Sequence, residues 1–376
     1  FFFYIFLFGV ADSLRGIIIP ETIAEYGTNY TLSSLIFTLS GLGYLLGNLF
    51  SGLLFHRFGE RRIVVFSLFL TSAAVFCVFL TKEFYFLIIV LFFYGYFAST
   101  VFAATNQLVH EISTNKASAL NFLHLFYAFG AMAAPQYSLL IMGRYEGYRP
   151  LFLLPALAFL LLIPFYSAAF RHASAVPDDN SRTAGRAGIA SLLIFYIAAF
   201  FYVGTEIGIS GWVYNYALKG LKLGEASAGF LLTLFFLSLL LGRLTAGIIS
   251  KKMRPGVCMI VGHILGTSVF LWGLFIGPVY LIPISAFFYG GVYPTLISMY
   301  NGLLGKNRKP VGIIFAAGAA GSMTLIPVIG YINDRADLFY GMMINGIISI
   351  ICLVFLLLSS HIYSHYLNKQ VKMNKI

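Results

Sequence analysis

The chain has 376 residues, of which 60% are hydrophobic and 10% are charged, whereas soluble domains carry about 25% charged residues. This composition, with a mean hydropathy of +0.89, excludes a soluble enzyme. The apolar runs reach about 20 residues, the length of helix that crosses a bilayer, and they exclude a barrel of short alternating strands. We therefore predict an all-α membrane protein.

Charge clusters and turn residues divide the chain into twelve apolar segments. The first six predicted membrane helices cover residues 1–24, 30–55, 61–81, 84–110, 117–143 and 148–170. The polar stretch RHASAVPDDNSRTAGR then runs from Arg171 to Arg186 and is typical of a linker. The last six predicted helices cover residues 188–218, 224–250, 255–277, 279–304, 309–332 and 337–362.

The distribution of lysine and arginine predicts the orientation, because loops rich in these residues stay in the cytoplasm. When the termini, the linker and the even-numbered loops share one side, that side carries 16 of the 24 basic residues and the other carries 6. We therefore expect both termini in the cytoplasm of a multi-pass, monomeric protein of the cell inner membrane. The net charge of +11 then reflects topology and contact with the bilayer, and no nucleic-acid partner is predicted.

The predicted domain plan has four parts. An N-terminal six-helix bundle covers residues 1–170, a cytoplasmic linker covers 171–187, a C-terminal six-helix bundle covers 188–366, and a basic cytoplasmic tail covers 367–376. The three cysteines lie singly in apolar runs, so neither a disulfide framework nor a metal site is predicted.

The two halves contain an internal repeat. The stretch GYLLGNLFSGLLFHRFGERRIVV aligns with SLLLGRLTAGIISKKMRPGVCMI at an offset of 195 residues. Gly47 then falls on Gly242, and a weaker match pairs Gly130 with Gly321. Because the aligned helices run in the same direction, the halves are predicted to form a parallel repeat, as in two-bundle transporters.

The segment GLLFHRFGERR, from Gly52 to Arg62, resembles the signature between helices 2 and 3 of the major facilitator superfamily. This resemblance implies the major facilitator fold, with two pseudo-symmetric six-helix bundles, and a gating role for Arg57 and Arg61. The family has an aspartate where this chain has His56. That aspartate latches the outward-facing state, so a histidine either removes the latch or makes it pH-dependent.

Two further stretches resemble the fucose permease branch, whose members import hexoses and 6-deoxyhexoses with protons or sodium. They are LNFLHLFYAFGAMAAP, from Leu120 to Pro135, and YVGTEIGISGWVYNY, from Tyr202 to Tyr216. The resemblance implies that His124 and Tyr127 contact a sugar. It supplies no coupling group in helices 1 and 4, because the carboxylates of that branch are absent there.

Ionisable residues inside apolar helices cost about 2.5 to 3.5 kcal/mol each, so they usually face a partner or a water-filled cavity. Asp12 and Arg15 lie three residues apart on one helix face, either as a closed ion pair or as a carboxylate whose charge partner is exchanged for substrate. Glu206 has no cation in its own stretch, and at an offset of 194 it matches Asp12. We predict Asp12 and Glu206 as ion-coupling residues; the alternative is that Glu206 braces its glycine-rich helix. Arg243 is predicted to serve gating.

Other polar side chains in the predicted helices are candidates for binding a solute through hydrogen bonds or ring contacts. The alternative for each is packing between helices. The complete set of predicted substrate-binding residues is Asn106, Gln107, Asn121, His124, Tyr127, Trp212, Tyr289, Tyr293 and Asn301.

We predict a secondary active transporter that moves a small polar solute, most simply a monosaccharide, by alternating access. A proton or sodium gradient drives it, and no cofactor is expected. The alternative on the same fold is efflux of a drug or amphiphile, which the 39 phenylalanines would suit. An enzyme is not expected, because the sequence offers no nucleophile with its base and no metal cluster.

Overall fold

The computed structural model describes residues 1–113, 116–171, 189–250, 252–304 and 311–373, and the side chains of 110–111, 116–121, 311 and 369–373 lie outside that description. The predicted linker therefore falls, apart from Arg171, outside the described residues. In the described part of the chain, eleven helices are long and apolar enough to cross a membrane, and the bent helix pair at the N-terminus, counted as one span, is the twelfth. The predicted twelve-span fold is confirmed.

The twelve spans are numbered α1 to α12 in chain order. In the first half they are α1 (Phe2–Ile17 with Ile19–Tyr26), α2 (Tyr30–Phe58), α3 (Glu60–Leu80), α4 (Phe84–Ile112), α5 (Lys116–Met142) and α6 (Arg149–Ala169). In the second half they are α7 (Ile189–Gly220), α8 (Glu225–Ile249), α9 (Pro255–Phe275), α10 (Leu281–Leu304), α11 (Val311–Arg335) and α12 (Leu338–Met373). The last helix continues past its predicted end at residue 362.

The span α1 bends by 51° between its two pieces. Pro20 lies at the start of the second piece, and because proline has no amide hydrogen, the carbonyl of Gly16 loses its helical donor. The Asn215 side chain of α7 replaces that donor, with Nδ2 2.9 Å from the Gly16 oxygen. The bend is thus stabilised by a hydrogen bond from the opposite half of the chain.

Matched glycines hold helices together in both halves. A Cβ atom on Gly47 of α2 would collide with the carbonyl oxygen of Tyr96 on α4, and one on Gly242 of α8 would collide with that of Phe287 on α10. Only a glycine permits such close approach of two backbones. The 195-residue repeat therefore corresponds to equivalent helix contacts.

The weaker match in the sequence has the same structural meaning. Gly130 of α5 lies against the carbonyl of Phe6 on α1, and Gly321 of α11 lies against the carbonyl of Phe200 on α7. Phe6 and Phe200 are themselves 194 residues apart. The halves are pseudo-symmetric bundles, as predicted.

An even number of spans places both chain ends on one side of the membrane, which we call the termini side; the opposite side is the far side. The bundles join on the far side, where Thr38 donates to the Met323 carbonyl (2.8 Å) and Gln136 donates to Thr233 (2.9 Å). Toward the termini side the bundles separate around a cavity.

Replacing Gly242 by alanine is expected to destabilise the protein by about 1 to 3 kcal/mol, because the added methyl group overlaps the α10 backbone. Thermal unfolding in detergent measures this as a lower Tm. Gly247→Ala on the same helix is the matched control, since a Cβ there meets nothing within 4 Å. An equal loss of Tm in both variants would contradict the assigned contact.

Candidate functional site

A cavity of about 650 Å³ lies between the bundles. Both halves line it: α1, α2, α4 and α5 contribute from the first, and α7, α8, α10 and α11 from the second. Its lining includes Asn48 and Leu49 near the end of α2 and Gly312 at the start of α11, so it opens toward the termini side. The volume is within the range of small-molecule sites, about 300 to 1,000 Å³.

The first half contributes a carboxylate that is held by two donors. Asp12 forms an ion pair with Arg15 through Oδ1 and Nη2, and its Oδ2 accepts a 2.7 Å hydrogen bond from the Tyr127 hydroxyl. Arg15 also donates from Nη1 to Ser40 Oγ at 2.6 Å and lies over the Phe37 ring. Asp12 and Arg15 both line the cavity, with the pair fixed from α2 and α5.

The second half contributes a carboxylate with similar partners. Glu206 Oε1 lies 3.2 Å from Arg243 Nη2 of α8, and its Oε2 lies 2.7 Å from the Tyr202 hydroxyl one turn earlier on α7. The Glu206 side chain is 13% exposed and that of Arg243 is 36% exposed. The arginine of this pair is therefore more exposed than Arg15, while its carboxylate is less exposed than that of Asp12.

Each bundle thus presents to the same cavity a carboxylate that contacts an arginine and a tyrosine. The repeat relates Asp12 to Glu206 but does not relate their partners. Arg243 of α8 corresponds at an offset of 195 to Asn48 of α2, which also lines the cavity. The two charged clusters are alike in chemistry and differ in how they are built.

Several other predicted residues lie in the cavity wall. Asn106 and His124 line it from the first half and Tyr293 from the second. The Tyr293 ring stacks on that of Tyr202 with centroids 5.6 Å apart, and His124 lies beside Phe102. Amide, imidazole and phenol groups next to aromatic faces can hydrogen-bond hydroxyl groups and cover an apolar ring face.

Four residues predicted to bind a solute lie away from the cavity wall in the part of the chain described. Trp212 packs edge-on against Tyr30 on the far side, and the Tyr289 hydroxyl lies 2.9 Å from Ser349 Oγ inside the C-terminal bundle. Asn301 is exposed near the end of α10, and Gln107 is half-buried beside Asn106. The side chain of Asn121 lies outside the described residues.

The predicted gating residues divide into two groups. His56 and Arg57 are exposed at the termini-side end of α2, and Arg61 donates to Ser167 Oγ of α6 at 2.8 Å, within the same bundle. Arg243 lies instead in the cavity beside Glu206.

Sequence reasoning missed three tyrosines in the cavity wall: Tyr44, Tyr94 and Tyr202. Among the residues described, Tyr94 lines the cavity while its hydroxyl is buried without a hydrogen-bond partner. Tyrosines in apolar helices resemble packing residues, so composition alone does not single them out. Asn48, in contrast, was detectable, because the repeat aligns it with Arg243.

A carboxylate also closes the far side. Asp334 at the end of α11 accepts hydrogen bonds from the backbone amides of Tyr30 and Thr31 (2.8 Å each) and from the Thr31 hydroxyl (2.5 Å). These amides belong to the first turn of α2, where a negative charge is favoured. The contact joins the two bundles directly.

The chain matches the sequence model of the Major Facilitator Superfamily over residues 1–310. The glucose/mannose transporter of Bacillus subtilis is 20% identical, covering 84% of this chain and 82% of that protein. Sodium-dependent glucose transporter 1A of Mus musculus is 23% identical, covering 87% of each chain. The cis,cis-muconate transport protein of Acinetobacter baylyi is 23% identical, covering 93% of this chain and 91% of the relative.

Solved structures show the same fold. The E. coli fucose:proton symporter aligns with a TM-score of 0.66 at 18% identity, covering 96% of both chains. A bacterial homologue of the human lysosomal transporter Spinster, in an inward-facing and occupied conformation, aligns with a TM-score of 0.79 at 11% identity, covering 95% of this chain and 94% of the other.

Asp334→Ala is expected to loosen the far-side closure, because it removes the acceptor of two amides and one hydroxyl. In protein lacking the native cysteines, a Ser210→Cys reporter behind the closure should react about tenfold faster with an impermeant maleimide applied from the far side, equivalent to about 1.4 kcal/mol.

The matched control for this variant is Asp337→Ala. Asp337 also accepts two backbone amides, but those of Phe339 and Tyr340 on its own helix α12. Its removal should leave the labelling rate unchanged. Equal acceleration by both variants would show that Asp334 does not join the bundles in solution.

Proposed function

Because the chain belongs to the major facilitator superfamily, and is a transporter rather than an enzyme, we propose that it carries a monosaccharide, a hexose or 6-deoxyhexose, coupled to a proton or sodium gradient. Transport proceeds by alternating access of the cavity between the two bundles. The glucose transporters among its relatives support this choice of solute.

The observation that carries the proposal is the chemistry of the cavity wall. A sugar needs several side chains that donate and accept hydrogen bonds around a ring with apolar faces. Asn106, His124 and the Tyr94 hydroxyl supply such groups from one half, and the aromatic ring of Tyr293 lies opposite in the other. The rest of the wall is largely apolar, so these polar groups carry the choice of a sugar over the amphiphile of the efflux alternative.

The two carboxylates supply the coupling. Each carboxylate lies beside one arginine, so these four groups have zero formal charge when both carboxylates are ionised. A proton or sodium ion that enters with the sugar changes that balance, and closure of the termini side then removes water from the site. Asp12 and Glu206 are thus the residues we assign to ion coupling, with Arg15 and Arg243 as charge partners.

The orientation follows from the basic loops. With both termini in the cytoplasm of the inner membrane, the cavity is open to the cytoplasm and the Asp334 contact seals the outside. The inward-facing conformation of one structural neighbour agrees with this assignment. Residues of one chain line the cavity from both halves, which supports transport by a monomer.

A second candidate solute is an organic acid. The muconate transport protein is a relative over almost the whole chain, and two arginines, Arg15 and Arg243, line the cavity. If the carboxylates were neutralised by protons, these arginines would bind a dianion through charge-assisted hydrogen bonds.

Uptake by proteoliposomes tests the proposal. Labelled hexoses should accumulate when a proton or sodium gradient is imposed, and Asp12→Asn and Glu206→Gln should each reduce that accumulation at least about tenfold, since coupling loses its ionisable group. Exchange of sugar without a gradient should persist in at least one variant.

Three outcomes of the uptake assay would contradict the proposal. Undiminished accumulation in both variants would remove the coupling assignment. Accumulation of muconate but no hexose would favour the organic acid, and movement of a lipophilic cation alone would favour efflux.

Asn106→Ala is expected to raise the KM for the transported sugar about fivefold to thirtyfold, the effect of losing about 1 to 2 kcal/mol of hydrogen bonding. Asn301→Ala is the matched control, because that asparagine lies outside the cavity wall. Initial uptake rates across sugar concentrations measure both. A similar KM in the two variants would exclude Asn106 from the site.

A further inference from the structure

The Tyr202 hydroxyl lies between two acceptors. It is 2.7 Å from Glu206 Oε2 and 2.7 Å from the backbone carbonyl oxygen of Tyr289. Both separations are hydrogen-bond distances for oxygen atoms. A phenol has one hydrogen to donate, so it cannot donate to both acceptors at once.

One further proton, carried by Glu206, gives each of these two short contacts a hydrogen. If Glu206 were ionised, one of the two short contacts would join oxygens with no hydrogen between them. If Oε2 carries a proton, it donates to the Tyr202 oxygen, and the Tyr202 hydroxyl donates to the Tyr289 carbonyl. The other oxygen, Oε1, then accepts from Arg243 at 3.2 Å, and every short contact contains a hydrogen.

We propose that Glu206 is protonated in the state with the far side closed, and that Tyr202 is the positioning residue that holds this proton. The proposal rests on the proposed function for its purpose, because it makes Glu206 the proton site of coupled transport. The contacts of Asp12 contrast with those of Glu206, because Arg15 and Tyr127 supply a hydrogen to each of its two oxygens and no further proton is needed there.

The ionisable groups around Glu206 are consistent with this division. Arg243 faces it from α8 and is 36% exposed, so water in the cavity screens its charge. Tyr293 faces it from α10, and Asp12 with Arg15 lines the same cavity from α1. His124 lines the cavity from α5 and Tyr44 from α2. Cys352 of α12 lies behind α7, against the Ala198 carbonyl. The cavity-lining residues of α11 in the described part of the chain are not ionisable.

The same hydrogen-bond chain connects the proton to a helix break. Tyr289 is the last residue of the first segment of α10, before Gly290 and Gly291. Loss of the Glu206 proton would turn the Tyr202 hydroxyl toward the carboxylate and release the Tyr289 carbonyl. Proton release into the cavity is thereby linked to movement of α10 at its break.

Infrared difference spectroscopy tests the protonation without any transport assay. The protein is held closed on the far side by a disulfide between Thr31→Cys and Asp334→Cys, whose native side chains touch. A carboxylic-acid carbonyl band is expected near neutral pH. It should shift in wild-type protein made with carbon-13-labelled glutamate and be absent in Glu206→Gln.

The Tyr202→Phe variant distinguishes the two possible directions of the hydrogen bond between Tyr202 and Glu206. If Tyr202 accepts the Glu206 proton, its removal destabilises the acid, and the pH at which half of the band is lost should fall by about one unit. If Tyr202 instead donates to an ionised carboxylate, that pH should rise. The matched control is Tyr196→Phe on the same helix, which loses a hydroxyl bonded to Tyr300 of α10 (2.8 Å) and should leave the band unchanged.

The proposal is overturned by absence of a glutamic-acid band near neutral pH, by a rise in that pH in Tyr202→Phe, or by an equal shift in Tyr196→Phe. The isotope test in wild-type protein applies even if a variant does not fold. Gradient-driven hexose uptake without the band would retain the proposed function and move the proton site elsewhere. The band without hexose uptake would retain the proton site and change the solute.

Discussion

The structure depends on the pairing of charged side chains inside an apolar bundle. An unpaired ion in hydrocarbon is costly, and each half of the chain meets that cost with a carboxylate held by an arginine and a tyrosine. In the first half Arg15 is one turn from Asp12, so the pair forms within a single helix. In the second half Arg243 comes from the next helix, so the pair depends on how α7 and α8 pack. Both pairs face one cavity, so a solute bound there would lie beside charged groups of both bundles.

The state of the cavity follows from contacts on the far side. The bend of α1 at Pro20 leaves the Gly16 carbonyl without its helical donor, and Asn215 of the other bundle supplies one. Asp334 likewise satisfies the first amides of α2 from the end of α11. Groups that α1 and α2 cannot satisfy alone thus find partners across the bundle interface when the far side is closed. The closed far side is stabilised because it supplies hydrogen-bond partners to these backbone carbonyl and amide groups.

Much of this architecture was predictable from sequence. Hydropathy and turn residues gave twelve spans, because the bilayer fixes the length of an apolar helix. The repeat identified the glycines at close helix contacts and placed Asp12 and Glu206 at corresponding positions. The partners were harder to predict. Tyr202 looks like one of many aromatic residues in α7, and Asp334 lies about 300 positions from the amides it caps, a pairing that no local pattern records. Tyr289 lies four positions before Tyr293, yet the break at Gly290 and Gly291 separates their directions, and the Tyr289 hydroxyl lies within the bundle.

The central claim is that paired acidic and basic side chains from two duplicated bundles enclose the solute site. A cryo-EM structure of the protein saturated with a transported hexose tests it most directly. The account predicts sugar density inside the cavity between Asp12 and Glu206, with its hydroxyl groups within hydrogen-bond distance of Asn106 or His124. Sugar density only outside this cavity, or a structure in which Asp12 and Glu206 point into lipid or dry contacts, would contradict it.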